Sequence, residues 1–545
     1  MPLPLTGLIF GVLLYIMYGM KDQENSREYL FVGRASDIKN KKDRTIYRAL
    51  EMLPGFLAWV TFPLAIVLSY YKPVWISIFI LLFAFYWLLK SIYLGIHTKS
   101  AYSIMLRHEK TNWIEKLKKL PKEKYTPDIP NWHDVWQLVI VPMYQEPYEI
   151  VSATAEAIAD SDWPNEKILF ILATEKRAGD EAHETALRVQ QNYSDKFFKF
   201  LVTRHPDDIP GEVAGKGSNE TWAARRAKEE IIDPLNIPYE RILVSSFDSD
   251  TIVYPRYFSC LTYHFLTTVE PYRASYQPIP LFINNIWQAP AVSRVSAFSS
   301  TFWHTLSQER PEKQTTFSSH SMTYKALLDV GYWQTNVVSE DSRIFFQCFM
   351  HYGGDYQVIS LYYPLAMDAN VAHSSWQTLK NVYKQQRRWG FGSENIPYLL
   401  YGYYKDRRVP LGKFFRYAFN QIENFHAWAT HALLLFVLGW LPIILGGDEF
   451  NTTLFSYNML RMVRILLTVA MVGLVLSAFL SIQLLPPRPP KYGKWHYAIV
   501  IMQWFLIPIQ LIVFGAFPAM EAQTRLMLGG KFRLGFWVTP KHRKE

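Results

Sequence analysis

Cysteine is scarce in this sequence, which has two cysteines, Cys260 and Cys348, in 545 residues. They do not form a paired spacing that binds zinc or an iron–sulfur cluster, so paired-cysteine metal motifs are excluded. This scarcity fits a reducing cytoplasmic setting. We expect both residues to be small buried side chains.

The sequence also lacks internal repeats, low-complexity tracts and long glycine- or serine-rich linkers, which excludes repeat architectures and loosely tethered domains. The first apolar run, residues 6–19, lacks the basic start and the small-residue cleavage site of a secretory signal. It predicts a marginal membrane-spanning helix, and the alternative is an interfacial or disordered N-terminus.

Longer apolar runs are present near both ends, at residues 53–71, 74–96, 425–446, 463–485 and 497–517. Each is about as long as a bilayer core is thick. Basic residues outnumber acidic ones by 57 to 47, for a net charge of +10, and part of the excess flanks these runs. Such flanks are typical of the cytoplasmic side of a membrane. We expect a multi-pass protein of the cell (inner or plasma) membrane with its polar block in the cytoplasm, and no nucleic-acid partner.

The number of spans is ambiguous. Three runs after a cytoplasmic domain would put the tail outside, whereas the basic tail predicts a cytoplasmic end. Pro508 interrupts the last run, which favours a re-entrant or surface-lying segment there. A further span at residues 414–425 is the alternative, although its charged and polar residues make it costly.

The polar block alternates short apolar runs with amphipathic stretches. The runs at residues 138–142, 168–173, 200–203 and 242–246 predict buried strands, and the stretches at 149–159, 180–192 and 219–232 predict helices. This alternation predicts an α/β domain with a mostly parallel sheet. Ligands bind beyond the carboxyl ends of the strands in such sheets.

Asp248 and Asp250 directly follow the strand predicted at residues 242–246. In an extended chain their side chains lie on the same side, and carboxylate oxygens suit Mg²⁺ or Mn²⁺. Such an ion would neutralise a diphosphate leaving group. The alternative is a pair of solvated turn carboxylates.

Two further motifs carry chemically useful groups. Glu340 and Asp341 open a predicted helix, where a simple helix-capping role is the alternative. Gln385, Arg388 and Trp389 combine an amide, a cation that can fork onto phosphate, and an indole that can stack on a base. This second set suits a nucleotide diphosphate, and a membrane-interface aromatic segment is the alternative.

Five motifs occur in one order, at residues 140–146, 215–216, 248–250, 339–341 and 385–389. Their order and spacing resemble the membrane-embedded family-2 glycosyltransferases, the group of cellulose, chitin and hyaluronan synthases. The resemblance implies a GT-A type (Rossmann-like) α/β domain in the cytoplasm, inserted between N- and C-terminal transmembrane α-helices. It also implies inverting transfer of a sugar from a nucleotide sugar to an acceptor hydroxyl.

The resemblance assigns roles to individual residues. Asp341 would be the general base, with Glu340 beside it in the catalytic motif. Asp250 and Asp248 would hold Mg²⁺ or Mn²⁺. The nucleotide would be bound by Pro142, Glu146, Glu175, Lys216, Asp248, Gln385, Arg388 and Trp389. The tail motif at residues 536–541 resembles the gating segment of cellulose synthases, with Thr539 and Lys541 approaching the diphosphate.

This sequence departs from the family pattern at two places. Glu175 stands where the family usually has an aspartate that reads the base, and residues 317–321 differ from the acceptor-side segment of cellulose synthases. The resemblance implies a UDP-sugar as the donor, and these departures leave the sugar undefined. The acceptor is a glycan or a lipid-linked molecule at the bilayer.

The expected organisation has six parts: about three transmembrane helices in residues 1–100, a basic cytoplasmic linker in 101–133, the GT-A catalytic domain in 134–373, amphipathic interfacial helices in 374–424, transmembrane helices in 425–520 and a cytoplasmic tail in 521–545. A processive polysaccharide synthase is the favoured function. The alternatives are a non-processive transferase acting on a lipid-linked acceptor and, from another class, a membrane solute transporter. No oligomeric state is predicted.

Overall fold

The computed structural model describes residues 27–436, 438–470 and 472–543. The apolar run at residues 6–19 lies outside these described residues. Within them, eight strands form a single sheet: β1 Trp136–Pro142, β2 Ile168–Glu175, β3 Lys199–His205, β4 Ile242–Ser246, β5 Ile252–Val253, β6 Ala274–Phe282, β7 Ser321–Thr323 and β8 Gln357–Met367. The four strands predicted from the sequence are confirmed as β1 to β4.

The sheet has the strand order β3-β2-β1-β4-β7-β6-β8-β5. Strands β1 to β4 are parallel to one another, as predicted. The expectation of a mostly parallel sheet also holds for the pairing of β6 with β8, but β7 runs antiparallel to both β4 and β6. The edge strand β5 is likewise antiparallel to β8. The sheet is therefore mixed, with a parallel half that ends at the strand leading into Asp248.

Twenty α-helices accompany the sheet in the described residues. Those up to the end of the α/β block are α1 Lys41–Tyr71, α2 Pro73–Lys110, α3 Trp113–Lys119, α4 Tyr148–Ala159, α5 Asp180–Tyr193, α6 Lys216–Ala227, α7 Tyr257–Thr267, α8 Ala291–Gln308, α9 Tyr324–Asp329 and α10 Glu340–His351. The three helices predicted in this block are confirmed as α4, α5 and α6, the last continued by a π turn at Lys228–Ile232.

The remaining α-helices of the described residues are α11 Ser375–Gly390, α12 Asn395–Lys405, α13 Leu411–Phe436, α14 Leu441–Leu445, α15 Gly447–Asn451, α16 Leu454–Ala470, α17 Val472–Gln483, α18 Trp495–Met502, α19 Ile507–Leu511 and α20 Phe517–Leu528. Short 3₁₀ and π turns join α18, α19 and α20 into one helical run, Trp495–Leu528. This run continues through Pro508.

Three helical runs in the described part of the chain are long and apolar enough to cross a membrane: α1, α2 and Trp495–Leu528. They contain the predicted spans at residues 53–71, 74–96 and 497–517. The predicted spans at 425–446 and 463–485 include residues 437 and 471, which are outside the described residues, so these two spans stay predictions.

The sheet is buried on both faces. Along β1, Leu138 and Ile140 belong to one hydrophobic cluster, whereas Val139 and Val141 belong to another. Neighbouring side chains of a strand point to opposite faces, and burial of both faces explains why β1 reads as a continuous apolar run. The first cluster also contains Leu50 of α1. The N-terminal part of the first apolar helix is therefore packed into the core of the α/β domain, whereas its later residues, such as Leu64, are exposed.

Candidate functional site

Asp248 and Asp250 lie just beyond the carboxyl end of β4, as predicted. The Asp248 side chain is 28% exposed, whereas Asp250 is fully buried. Asp250 Oδ2 accepts hydrogen bonds from the Asp368 backbone N–H at 2.9 Å and from Lys541 Nζ at 2.6 Å. Its Oδ1 has no hydrogen-bond partner among the described residues. A buried carboxylate oxygen left without a partner fits a divalent cation ligand.

Lys216 brings distant carboxylates together. It is the first residue of α6, and its Nζ lies 2.8 Å from Asp248 Oδ1 and 2.9 Å from Asp341 Oδ1. Burial opposes the charge on this amine, but Asp248, Asp341 and Glu220 raise the pKa of Lys216 well above its ordinary value. The motifs at residues 215–216, 248–250 and 339–341 therefore share one site.

Two lysines stabilise the negative charge on Asp248. Burial opposes ionisation of this carboxyl, but Lys216 and Lys541 hold the pKa of Asp248 below its ordinary value. Asp250 differs, because burial outweighs Lys541 and raises the pKa of its carboxyl. The two carboxylates of one motif therefore lie in unlike environments: negative charge is favoured on Asp248 and disfavoured on Asp250.

Glu340 and Asp341 occupy the first turn of α10 and differ in exposure. The Asp341 side chain is 22% exposed, whereas Glu340 is 1% exposed. Both carboxylate oxygens of Glu340 lack a hydrogen-bond partner in the described part of the chain. Burial, and then the neighbouring Asp341, raise the pKa of Glu340 well above its ordinary value. Asp341 is therefore the member of the pair that faces the opening.

The loop before α10 is held in place by Glu394. Its Oε1 accepts hydrogen bonds from the backbone N–H groups of Val338 and Ser339, at 2.9 and 3.0 Å, and from the Ser339 hydroxyl at 2.8 Å. Its other oxygen pairs with Arg533 at 2.9 Å. The position of Asp341 thus depends on a buried carboxylate that also contacts the C-terminal tail.

The motif at residues 385–389 lies on α11, where its side chains point in two directions. Gln385 and Trp389, one helical turn apart, line a cavity together with Asp368, and the Trp389 ring lies 6.3 Å from that of Phe282. Arg388 instead places its guanidinium 4.8 Å from the centre of the Phe536 ring in the tail. Its Nε is buried without a hydrogen-bond partner among the residues described.

Pro142, Glu146 and Glu175 lie at the same carboxyl edge of the sheet. Pro142 is in register with Ala173, two residues before Glu175. Burial raises the pKa of Glu146, whose Oε2 accepts a hydrogen bond from the Tyr144 backbone N–H at 2.6 Å. Both oxygens of Glu175 accept hydrogen bonds from Arg177. The carboxylate expected to read a base is therefore already paired with a guanidinium.

The C-terminal tail lies across this site. Phe536 packs on Gly215, where a Cβ atom would come within 2.5 Å of its ring. Lys541 contacts Asp250, and Arg543 Nη2 lies 2.8 Å from Asp368 Oδ1. Thr539 is 7% exposed. In this conformation Lys541 therefore lies in the site, on the proposed metal ligand Asp250, and Thr539 is buried two residues before it.

The sequence analysis missed Glu220, Asp368 and Glu394. Asp368 directly follows β8, so the strand-end rule would have found it if β8 had been recognised. Glu220 lies one helical turn after Lys216, and burial raises its pKa to about 8. Glu394 carries no local signal, because its partners Ser339 and Arg533 are far from it in the sequence.

Comparison with known proteins gives one family match. The model described as "Glycosyl transferase family group 2" matches residues 243–520, slightly more than half of the chain. A comparison with curated protein sequences found no match.

The comparison with solved structures found matches that include the following two. The mannosyltransferase PcManGT from Pyrobaculum calidifontis, in complex with GDP-Man and Mn²⁺, is 13% identical with a TM-score of 0.34; the match covers 76% of this chain and 99% of that chain. S. aureus TarS 1–349, in complex with UDP-GlcNAc, is 11% identical with a TM-score of 0.31, and that match covers 69% of this chain and 91% of that one.

Proposed function

The chain belongs to glycosyl transferase family group 2, and from this premise we propose that it is a membrane-embedded inverting synthase that extends a glycan from a UDP-sugar. The family match confirms the family-2 part of the resemblance found in the sequence, and the mixed sheet with its helices confirms the α/β class. The chain is therefore an enzyme that transfers a sugar from a nucleotide sugar. A solute transporter is rejected by the same finding.

One observation carries the proposed mechanism: Asp248 and Asp341, from separate motifs, meet on Lys216 while Asp250 lies beside them under Lys541. Asp341 would take the proton from the acceptor hydroxyl as its oxygen attacks the anomeric carbon. The nucleoside diphosphate would leave from the opposite face. A single displacement of this kind inverts the anomeric centre.

The reaction also requires that the negative charge of the diphosphate leaving group be neutralised. Asp250 and Asp248 would hold Mg²⁺ or Mn²⁺, which would neutralise the diphosphate when bound. Lys216 and Arg388 would add fixed cations, and Lys541 would move from Asp250 to the diphosphate when the donor enters. The buried Asp250 Oδ1 has no partner in the part of the chain that the structure describes, which supports this role because a hard cation would satisfy it.

The remaining residues at the carboxyl edge of the sheet would recognise the nucleotide part of the donor. We assign Pro142, Glu146 and Glu175 to the nucleoside side, with Gln385 and Trp389 lining the adjoining cavity. Glu340 would position Asp341 without contacting substrate, because it is 1% exposed. Thr539 would approach the diphosphate together with the tail.

The membrane supplies the setting for this reaction. The α/β domain would lie in the cytoplasm of a cell-membrane protein, because basic residues flank α1 and α2. Three apolar helical runs in the described residues are long enough to span a bilayer, which supports membrane embedding. The acceptor would be a glycan or a lipid-linked molecule presented at that surface.

The test of function uses purified full-length protein in lipid with Mg²⁺ or Mn²⁺ and a panel of UDP- and GDP-sugars. Nucleotide release and product mass are measured. A synthase gives UDP release and a ladder of product masses. A single fixed mass increment would instead establish the non-processive transferase, and absence of release with every sugar in the panel would contradict the proposal.

Replacing Trp389 with alanine should weaken donor binding, because the indole is assigned a stacking contact. The expected loss is about 1–3 kcal/mol, measured by titration calorimetry with the nucleotide. Trp376→Ala is a matched control, since Trp376 lies on the same helix but is 66% exposed. Equal affinities for wild type and Trp389→Ala would remove the stacking role.

A further inference from the structure

A cluster of soft ligands lies outside the carboxylate site. His108, Cys260 and His264 each offer one ligand atom, and these three atoms lie within 4.8 Å of one another. Cys260 and His264 are one turn apart on α7, whereas His108 lies near the end of α2. We propose that these residues form a zinc site that fastens the end of α2 to the α/β domain.

The hydrogen bonding of His108 prepares it as a ligand. Its Nδ1 lies 2.9 Å from the Leu361 carbonyl oxygen in β8. A carbonyl oxygen only accepts, so Nδ1 carries the proton and the Nε2 lone pair is left available. Histidines that bind metals commonly donate their other ring N–H to a backbone carbonyl, which fixes the tautomer and the ring orientation.

His264 and Cys260 complete the set. His264 Nε2 is buried and has no hydrogen-bond partner in the described part of the chain. A buried ring nitrogen without a partner can direct its lone pair at a metal ion. Cys260 is fully buried. On binding zinc its thiol would lose a proton to solvent, and the thiolate sulfur would form the metal bond.

Ligand chemistry selects the metal class. Two imidazoles and one thiolate suit Zn²⁺ and do not suit Mg²⁺, which prefers oxygen. Tetrahedral zinc, with bonds of about 2.0–2.3 Å, places its ligands roughly 3.3–3.6 Å apart, so shifts of about 1 Å would close the site. Water would take the fourth position.

Lys116 opposes cation binding at this place. Its Nζ lies 4.6 Å from the centre of the Trp113 ring and 5.2 Å from that of Tyr263, and Trp113 packs against His264. The side chain of Lys116 is exposed, so its ammonium can move into solvent when the metal enters. The Cys260 thiolate would also offset part of the added charge.

The site would connect the membrane to the sheet. Helix α2 has 38 residues, which at 1.5 Å each is about 57 Å, well beyond the roughly 30 Å of a bilayer core. Its last turns therefore extend past the lipid, and His108 lies there. Zinc held by His108 and α7 would fix the angle at which α2 meets the α/β domain.

The test uses chelator-treated full-length protein in detergent, titrated with Co²⁺ as a spectroscopic substitute and then with Zn²⁺. We expect one metal per chain, a thiolate-to-Co²⁺ charge-transfer band displaced by Zn²⁺, and a higher Tm with Zn²⁺. Cys260→Ser should abolish the band and weaken Zn²⁺ binding by at least about tenfold. Cys348→Ser is the matched control and should behave as wild type.

Two further variants keep the test decisive. His264→Asn should also lose the band, which covers the case in which Cys260→Ser fails to fold, and Lys116→Gln should bind Zn²⁺ several-fold more tightly. The proposal is overturned if wild type shows no thiolate band, or if folded Cys260→Ser and His264→Asn bind Zn²⁺ as tightly as wild type.

Discussion

Replacing Asp341 with asparagine is expected to abolish sugar transfer while leaving donor binding close to that of wild type. Asparagine has nearly the same shape and keeps an oxygen that can accept the hydrogen bond from Lys216, which lies 2.9 Å from Asp341 Oδ1. It cannot take the proton of the acceptor hydroxyl. Loss of general-base catalysis is expected to lower kcat by about 10²–10⁴-fold.

The measurement separates binding from chemistry. Donor affinity is measured by calorimetry, and transfer is followed by nucleotide release under single-turnover conditions. Asp355→Asn is the matched control, because Asp355 is an exposed aspartate paired with Arg273 at 2.6 Å. If Asp341→Asn keeps kcat within a few-fold of wild type, or loses donor binding as severely as transfer, Asp341 is not the base.

Glu340 gives a useful contrast with Asp341. The sequence placed both in the catalytic motif, since adjacent carboxylates at a helix start look alike. Their exposures of 1% and 22% separate them. On a helix, neighbouring residues point about 100° apart, so one faces the interior when the other faces the opening. Which of the two is buried depends on how α10 docks, and that is a tertiary property.

Strands β1 to β4 were predictable because burial on both faces leaves continuous apolar runs in the sequence. Strand β6 was not predictable from the sequence, because Pro278 and Pro280 argue against a strand inside a sheet. The structure accommodates them with a register shift between Gln277 and Ile279 in the pairing of β6 with β8. Strand β7 has three residues, too few to leave a pattern.

The site was predictable where its residues form local motifs, as at Asp248 and Asp250. Glu220 was missed because a single acidic residue on a helix carries no signal, and Asp368 was missed because the strand that precedes it, β8, was not predicted. The zinc cluster was missed for a related reason: Cys260 and His264 are one turn apart on α7, but their partner His108 lies about 150 residues earlier. Only the docking of α2 against the domain brings the three together.

Replacing Asp250 with alanine is expected to abolish metal-dependent donor binding, with a loss of affinity of about a hundredfold or more. Asp250 is fully buried, and its Oδ2 holds both Lys541 and the Asp368 backbone N–H. The variant loses the proposed metal ligand and also leaves the Lys541 ammonium without its closest counter-charge. Donor affinity is measured by calorimetry with Mn²⁺ and with a chelator.

The comparison variants separate these two effects. Lys541→Met removes the tail cation but keeps Asp250, so its donor binding should still depend on metal. Asp233→Ala removes an exposed carboxylate paired with Lys228 at 2.6 Å, so it controls for loss of an ion pair elsewhere. Because breaking a buried ion pair costs about 3–5 kcal/mol of stability, Asp250→Ala should also unfold at a lower temperature than Asp233→Ala. If the response of donor affinity to Mn²⁺ is the same in Asp250→Ala as in wild type, the metal is held elsewhere and the assigned roles of Asp248 and Asp250 are wrong.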